Sequence, residues 1–304
     1  VPASFRLIVN PAAGGGGSLR ILPEATAELD AAGCSYEVSR SSSLAHASEL
    51  AAAAAAQGAV VVAVGGDGMA GALAGVAAAG EATFGVIPAG RGNDLARVLG
   101  IPADPRAAAR VLAGGRTRRI DLIGASVPGQ PECVVAGCVY LGVPSVAGEI
   151  ANATRWLTGA AVYPVAALRA LATWRPVSFR LKTGQSVADF PGYAVVIANS
   201  AYFGAGMMVA PTARIDDGIL DIVAMRHGPR LAFLRVLLKI RGGTHVSLAQ
   251  VSLDTTAAAT LTMDRALPVA ADGETLPFAG PLPPGVPLTV RVLPGALAVL
   301  VPPG

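Results

Sequence analysis

Lysine is almost missing from this sequence: of 23 basic residues only Lys182 and Lys239 are lysine, leaving 23 − 2 = 21 arginines. They form no block of five or six, the densest group being Arg116, Arg118 and Arg119, so a net charge of +3 gives no reason to expect a nucleic-acid partner. Cysteine and histidine are scarce too. Cys34, Cys133 and Cys138 make neither an even disulfide set nor a zinc spacing, and His46, His227 and His245 stand far apart. The thiols read as small core residues of a cytoplasmic protein. Charged residues reach only 14% and aromatics 5%, against 53% hydrophobic residues and a mean hydropathy of +0.55. That balance excludes disorder as the main state and calls for a large core or a surface that meets lipid. A long hydrophobic run is also lacking. The longest charge-free stretch, Phe190–Ala213, holds two Pro, three Gly and an Asn, whereas a spanning helix needs about 20 continuous apolar residues. Val1–Asn10 reads as a short strand and not as a basic-then-apolar leader.

What is present is a β-α rhythm. Phe5–Asn10, Ser35–Ser39, Ala59–Val64 and Thr83–Pro88 read as strands, with helices expected over Leu19–Ala32, Leu44–Gln57, Ala70–Ala79 and Asp94–Leu99. That order predicts an α/β fold with a doubly wound parallel sheet. After Ile120 the rhythm changes. Two helical stretches, Val146–Leu157 and Pro164–Trp174, precede short strand-like runs at Val177–Leu181, Tyr193–Ala198, Leu220–Met225, Ala258–Met263, Pro268–Ala271 and Leu288–Val292, with one late helix at Leu231–Ile240. The expected division is a nucleotide-binding α/β domain over 1–117 and a mostly antiparallel, β-rich acceptor domain over 118–292, with residues about 293–304 free to pack back on the first.

Three glycine-rich turns fall at strand ends of the first domain: Asn10-Pro11 through Gly14–Gly17, then Gly65-Gly66-Asp67-Gly68, then Pro88 through Gly90-Arg91-Gly92-Asn93-Asp94. Without a Cβ, glycine lets backbone amides approach phosphate, and the crevice beyond the carboxyl ends of parallel strands is the usual ligand site. Tight strand-to-helix turns also favour glycine, but three in succession point to a polyanion, most simply a nucleotide. Neither the P-loop spacing nor the dinucleotide fingerprint fits. A carboxylate inside a phosphate-cradling turn repels its ligand unless a metal mediates or a proton is handled, so Asp67 argues for Mg²⁺-dependent phosphoryl transfer. The bland reading is a helix N-cap.

These residues resemble the diacylglycerol kinase catalytic family, which includes sphingosine and ceramide kinases and bacterial lipid kinases. The resemblance is carried by Asn10-Pro11 with its glycines, by Gly65-Gly66-Asp67-Gly68, and by Gly85-Val86-Ile87-Pro88-Ala89-Gly90-Arg91-Gly92-Asn93-Asp94. Further on, Asn199 with Gly204-Ala205-Gly206-Met207, Ala210-Pro211, Asp216-Asp217-Gly218-Ile219-Leu220-Asp221 and Asp272-Gly273-Glu274 are similar to the family's second-domain motifs. The GGDG turn is shared with NAD kinases and phosphofructokinases; the motif ending in Gly-Asn-Asp is more specific to lipid kinases.

The resemblance implies a phosphofructokinase-like first domain, a β-sandwich-like second domain, and a cleft between them in which ATP donates its γ-phosphoryl group to a lipid hydroxyl. Nucleotide contacts carry over to Gly66, Asp67 and Gly68 with the following helix start, to Ser41, and to Arg91. A structural Mg²⁺ carries over to the Asp217 carboxylate and the backbone carbonyls of Arg214 and Ile219, and Asp94 and Asp121 to a charged network reaching toward the active-site metal. Two threonines of the family pattern are replaced, by Met69 and Arg91. Arginine there could pair with phosphate directly.

Proton transfer from the acceptor needs a carboxylate, and Asp272 and Glu274 are the candidates alongside Asp67. Asp272-Gly273 is also a strong hairpin signal, which would leave Glu274 solvated. The helical stretches around Trp156, Tyr163 and Trp174 either line a lipid groove or simply pack, and the nearby Arg155, Arg169 and Arg175 either meet anionic headgroups or are ordinary solvated arginines. The expected partners are a lipid substrate and a peripheral membrane contact, with a homodimer left open. A soluble-metabolite kinase of NAD type and a non-catalytic nucleotide or lipid binder are the competing readings.

Overall fold

The computed structural model describes residues 4–11, 13–153, 162–184, 186–276 and 278–303. Its first part alternates β1 (Phe5–Val9), α1 (Gly17–Ala31), β2 (Tyr36–Arg40), α2 (Leu44–Ala56), β3 (Val60–Gly65), α3 (Asp67–Ala79), β4 (Phe84–Pro88), α4 (Asp94–Val98) and α5 (Pro105–Ala113). β3 and β4 are buried along their whole length, as continuous apolar runs between helices should be. The strands pair in parallel in the order β2-β1-β3-β4. The alanine tract of α2 lets helices close up on the sheet: Ala51, Ala54 and Ala55 are buried, and a Cβ on Gly80 would lie 2.6 Å from that of Ala55.

The second part runs β5 (Arg116–Ser126), β6 (Cys133–Val135), β7 (Cys138–Gly142), α6 (Val143–Ala153), α7 (Val162–Thr173), β8 (Val177–Thr183), β9 (Ser186–Ala198), β10 (Tyr202–Phe203), β11 (Met207–Met208), β12 (Leu220–Arg226), α8 (Arg230–Lys239), β13 (Val251–Thr256), β14 (Ala258–Met263), β15 (Val269–Ala271), β16 (Glu274–Thr275) and β17 (Leu288–Val301). Its ladders are antiparallel. The expected mixed α/β architecture, parallel first and antiparallel second, is what forms.

β17 stitches the two parts together. It pairs with β5 from Thr289↔Ser126 to Val301↔Arg116, slips register between Leu293 and Leu297, and meets β4 in parallel at Val299↔Phe84. Each part has its own apolar cluster, and Leu297–Val301 contribute to the first while Leu288–Val292 contribute to the second. Trp174 packs in the second core with its indole N–H on Gly192 O at 3.2 Å. Arg155, Trp156 and the Tyr163 side chain lie outside the described residues. Among the described residues no helix is long and apolar enough to cross a membrane.

Candidate active site

The three glycine turns converge at the carboxyl ends of β1, β3 and β4. The first leaves Asn10-Pro11 through a 3-10 turn at Ala13–Gly15 that contains Gly14, and Gly15 and Gly16 take φ of 67° and 87°, open to glycine at no steric cost. Asn10 O accepts Ala13 N–H and the hydroxyl of buried Ser18, which fixes the turn to its helix. The second and third turns touch through backbone. A Cβ on Gly66 would stand 3.2 Å from Gly90 Cα, and one on Gly90 would collide with Gly66 Cα. Neither α1 nor α3 has a side-chain N-cap, so the amides that open both helices stay available to an anion. Asn93, at φ 55°, closes the third turn: its Oδ1 accepts Gly90 N–H at 2.9 Å and its Nδ2 donates to Gly90 O at 3.0 Å.

Asp67 does not cap its own helix. It occupies the first turn of α3, and its carboxylate accepts the N–H of Asn93 at 2.8 Å and of Asp94, so it caps α4 instead. Asp94 carries the chain of contacts across: its oxygens accept Ala205 N–H at 2.9 Å and Gly206 N–H at 2.7 Å, pinning the left-handed Gly204-Ala205-Gly206 loop. Burial, and then the charge of Asp67, raises the Asp94 carboxyl pKa.

On the opposite wall β15 and β16 form a hairpin at Asp272-Gly273, both at positive φ, with Ala271 paired to Glu274. The turn signal and the acidic site are therefore the same feature. Asp272 folds inward and accepts the N–H groups of Ala136, Gly137 and Cys138 at 2.9–3.1 Å. Desolvation of this enclosed carboxyl outweighs those bonds and raises its pKa to about 6. Glu274 reaches over Gly68 instead: a Cβ there would lie 2.9 Å from Glu274 Oε1, as one on Gly71 would lie 2.9 Å from Asp272 Oδ2. Gly68 and Gly71, one turn apart, make the bare face of α3 on which both acids rest. Glu274 accepts no hydrogen bond among the described residues, and the cleft wall desolvates it enough to raise its pKa although it keeps solvent access.

Together these residues enclose a cleft of about 430 Å³ that also takes in Gly15, exposed Arg91 and Gly92. One wall is apolar, with Leu95, Tyr140, Phe203 and Met207; the Tyr140 and Phe203 rings meet edge to face at 4.6 Å. Cys138 lines it with a thiol that burial and the surrounding carboxylates hold neutral.

Other predicted positions go elsewhere. Ser41 is buried and donates its hydroxyl to Val9 O at 3.1 Å. Met69 turns away from the cleft, 4% exposed and packed under Gly65. Asp121 is buried at the other side of the junction, accepting Gly218 N–H at 2.6 Å and Gly295 N–H at 2.7 Å. It thus meets the exposed turn holding Arg214, Asp217 and Ile219, where Asp217 Oδ1 accepts Ile219 N–H at 3.1 Å and Arg118 neutralises Asp216. Asp94 lines the cleft and Asp121 does not. Among the described residues no three acidic, histidine or cysteine side chains converge on one point. Gly71, Gly137 and the Tyr140–Phe203 wall were not singled out by sequence; Gly71 carries a local signal, lying one helical turn beyond Gly68.

The description "Diacylglycerol kinase catalytic domain" matches residues 4–125, and "YegS C-terminal NAD kinase beta sandwich-like domain" matches residues 137–301. A diacylglycerol kinase of Mycobacterium tuberculosis (strain ATCC 25618 / H37Rv) is 34% identical over 301 residues, covering 97% of this chain and 94% of that protein. The chain belongs to the diacylglycerol kinase family. A second member, the diacylglycerol kinase of Bacillus subtilis (strain 168), is 27% identical over 168 residues, 54% of each chain. A crystal structure of a diacylglycerol kinase from Bacillus anthracis str. Sterne shares the fold, with a TM-score of 0.74 and 20% identity over 99% of this chain and 97% of that one. In this lipid kinase the cleft draws Asp67, Arg91 and Asp94 from the first matched region and Tyr140, Phe203, Asp272 and Glu274 from the second.

Proposed function

We propose that this cleft transfers the γ-phosphoryl group of ATP to the hydroxyl of a lipid, of diacylglycerol or sphingoid type, with Mg²⁺, at a cytoplasmic membrane surface. One observation carries the reading. Asp67, Asp94 and Asp272 each have both carboxylate oxygens engaged by backbone amides, whereas Glu274 stands free over Gly68 beside an apolar wall. Of the acids at the cleft, it is the one placed to take a proton.

Phosphoryl transfer depends on positioning and on charge stabilisation more than on covalent chemistry. The amides of Gly15, Gly68 and Gly92, which line the cleft, surround the phosphates, and the Arg91 guanidinium pairs with them. Glu274 accepts the hydroxyl proton as the acceptor oxygen attacks, and desolvation by the cleft wall raises its pKa and so makes it a stronger base than an exposed glutamate. Asp272 holds the Ala136–Cys138 turn, and Asp67 holds the third glycine turn and Asp94; both are positioning residues. The apolar wall takes the acyl or sphingoid chain.

The residues fit Mg²⁺ in two places. Burial first, and then the charge of Asp67, raises the pKa of both Asp94 and Asp272, and the cleft gathers Asp67, Asp94, Asp272 and Glu274 against Arg91 on its lining and Arg97, 3.9 Å from Asp94. Asp67 and Asp94 would hold the ion with phosphate oxygens, consistent with a metal that uses one or two carboxylates. When bound, Mg²⁺ supplies charge neutralisation at the phosphate oxygens. The second place is the turn of Arg214, Asp217 and Ile219, an all-oxygen donor set suited to a hard cation.

Incubation with γ-labelled ATP and diacylglycerol, sphingosine, ceramide or a polyprenol in mixed micelles tests the acceptor, with NAD as the soluble control. Label is expected in a lipid product. Label in NAD alone would overturn the reading.

A further inference from the structure

We propose that α8 is a membrane-docking surface whose occupant is the anionic headgroup layer of a lipid bilayer, an inference that rests on the reading of the acceptor as a lipid. Leu231 and Leu238, 65% and 76% exposed, are the most exposed large apolar side chains among the described residues. At i and i+7, with Arg235 between them, they share one face of the helix. The other face is anchored, with Phe233 and Val236 of α8 and the following Ile240 buried in the second core, so the fold has no need of the outer leucines.

Charge singles out the same surface. No Asp or Glu occurs between Asp221 and Asp254, while Arg226, Arg230, Arg235, Lys239 and Arg241 do. Arg226 stacks on Phe190 and Arg230 donates to Trp174 O. Arg235, Lys239 and Arg241 meet no carboxylate among the described residues. Lys239 also suits the carbonyl end of its helix. Exposed leucines interleaved with unpaired cations are what an interfacial helix presents to anionic lipid, the leucines entering the acyl boundary and the cations meeting phosphates.

The position serves the cleft. The 3-10 turn Ile240–Gly242 that continues α8 contacts β11, and a Cβ on Gly243 would lie 2.8 Å from Met208 Sδ. β11 pairs with β10, and that hairpin supplies Phe203 and Met207 to the apolar wall. A bilayer docked on α8 lies beside the wall that receives the acceptor.

Sedimentation of the full chain, without ATP, with vesicles of phosphatidylcholine alone and of phosphatidylcholine mixed with phosphatidylglycerol tests the proposal independently of catalysis. The protein should associate with the mixed vesicles in preference. The double substitution Arg235→Gln with Lys239→Gln should weaken that association by roughly thirtyfold, the loss of two cationic contacts with an anionic surface. Leu231→Ser with Leu238→Ser should weaken association with both vesicle types. Arg106→Gln with Arg110→Gln, on the exposed side of α5, should change nothing. Equal binding of wild type and both α8 variants would overturn the proposal, as would an equal effect from the α5 pair. So would a leucine variant that keeps its vesicle association and loses a concentration-dependent dimer in ultracentrifugation, which would assign the face to a second copy of the chain.

Discussion

Asp67 holds Asp94 by its backbone: the Asp67 carboxylate accepts the Asp94 N–H, and the Asp94 carboxylate in turn accepts Ala205 and Gly206. Two acids of the first lobe thereby clamp the third glycine turn and the loop of the second lobe that borders the cleft. The arrangement buries Asp94 and brings like charges together, and burial first, then the charge of Asp67, raises the Asp94 pKa. A cation or a ring of amides must offset it, and the structure supplies the amides.

Asp67→Asn should therefore harm both activity and stability. An asparagine can present one oxygen, so its NH₂ faces the N–H of Asn93 or Asp94 and leaves a donor unpaired, costing about 1–3 kcal/mol. Thermal unfolding beside a phosphoryl-transfer assay checks this; loss of activity with an unchanged Tm would show that the carboxylate does not cap α4.

Asp272 predicts the sign of a pH effect. Its folded pKa of about 6 lies above the ordinary 3.8, so between those values the folded state binds more protons than the unfolded one. Stability is then fully present below about pH 4 and declines as pH rises through 6. Urea unfolding across this range should show the wild type losing stability relative to Asp272→Asn, which has no such titration; parallel curves would contradict the assignment.

Much of this was legible in sequence because local sterics write it there. Glycine at Gly15 and asparagine at Asn93 serve left-handed backbone that a short window reveals, whereas Gly66 and Gly92 are required by close approach to Gly90 and to Asp67 and Ala205. The Asp104-Pro105 start of α5, with Asp104 Oδ1 accepting Ala107 N–H at 2.8 Å, is also written locally. β5 opens on Arg116, Arg118 and Arg119, which conceal an 11-residue strand. What no local pattern carries is the contact of Asp272 with Ala136–Cys138, or of Glu274 with Gly68, pairs brought together only by the sheet. The motif position of Met69 assigns it to the nucleotide, but its spacing with Leu73 and Ala77 puts it on the buried face of α3.

The glycines separate geometry from stability. Gly90→Ala forces a Cβ into Gly66 Cα, which is backbone and cannot yield, so it should destabilise the fold by about 1–3 kcal/mol. Gly68→Ala meets only the Glu274 side chain and gains about 0.5–1 kcal/mol of helix propensity. It should keep or raise Tm while lowering turnover. Calorimetry and initial rates on the two variants distinguish them, and a Gly68→Ala enzyme with full activity would remove Glu274 from that position.

The surface turn at Asp217 should respond to metal. A Mg²⁺ concentration a hundredfold above Kd adds about 2.7 kcal/mol of stability, so Mg²⁺ should raise the wild-type Tm and EDTA reverse it. Asp217→Ala should lose most of that rise. An equal rise in both proteins would assign it to the cleft carboxylates alone.

The most direct measurement is transfer of the γ-phosphate of Mg-ATP to diacylglycerol in mixed micelles by the wild type and by Glu274→Gln, with ATP affinity measured in parallel. Labelled lipid phosphate should form with the wild type and fall by about 10²–10⁴-fold in the variant, the usual worth of a general base, with ATP affinity unchanged. No labelled lipid from the wild type, or equal labelling by both proteins, would contradict the account.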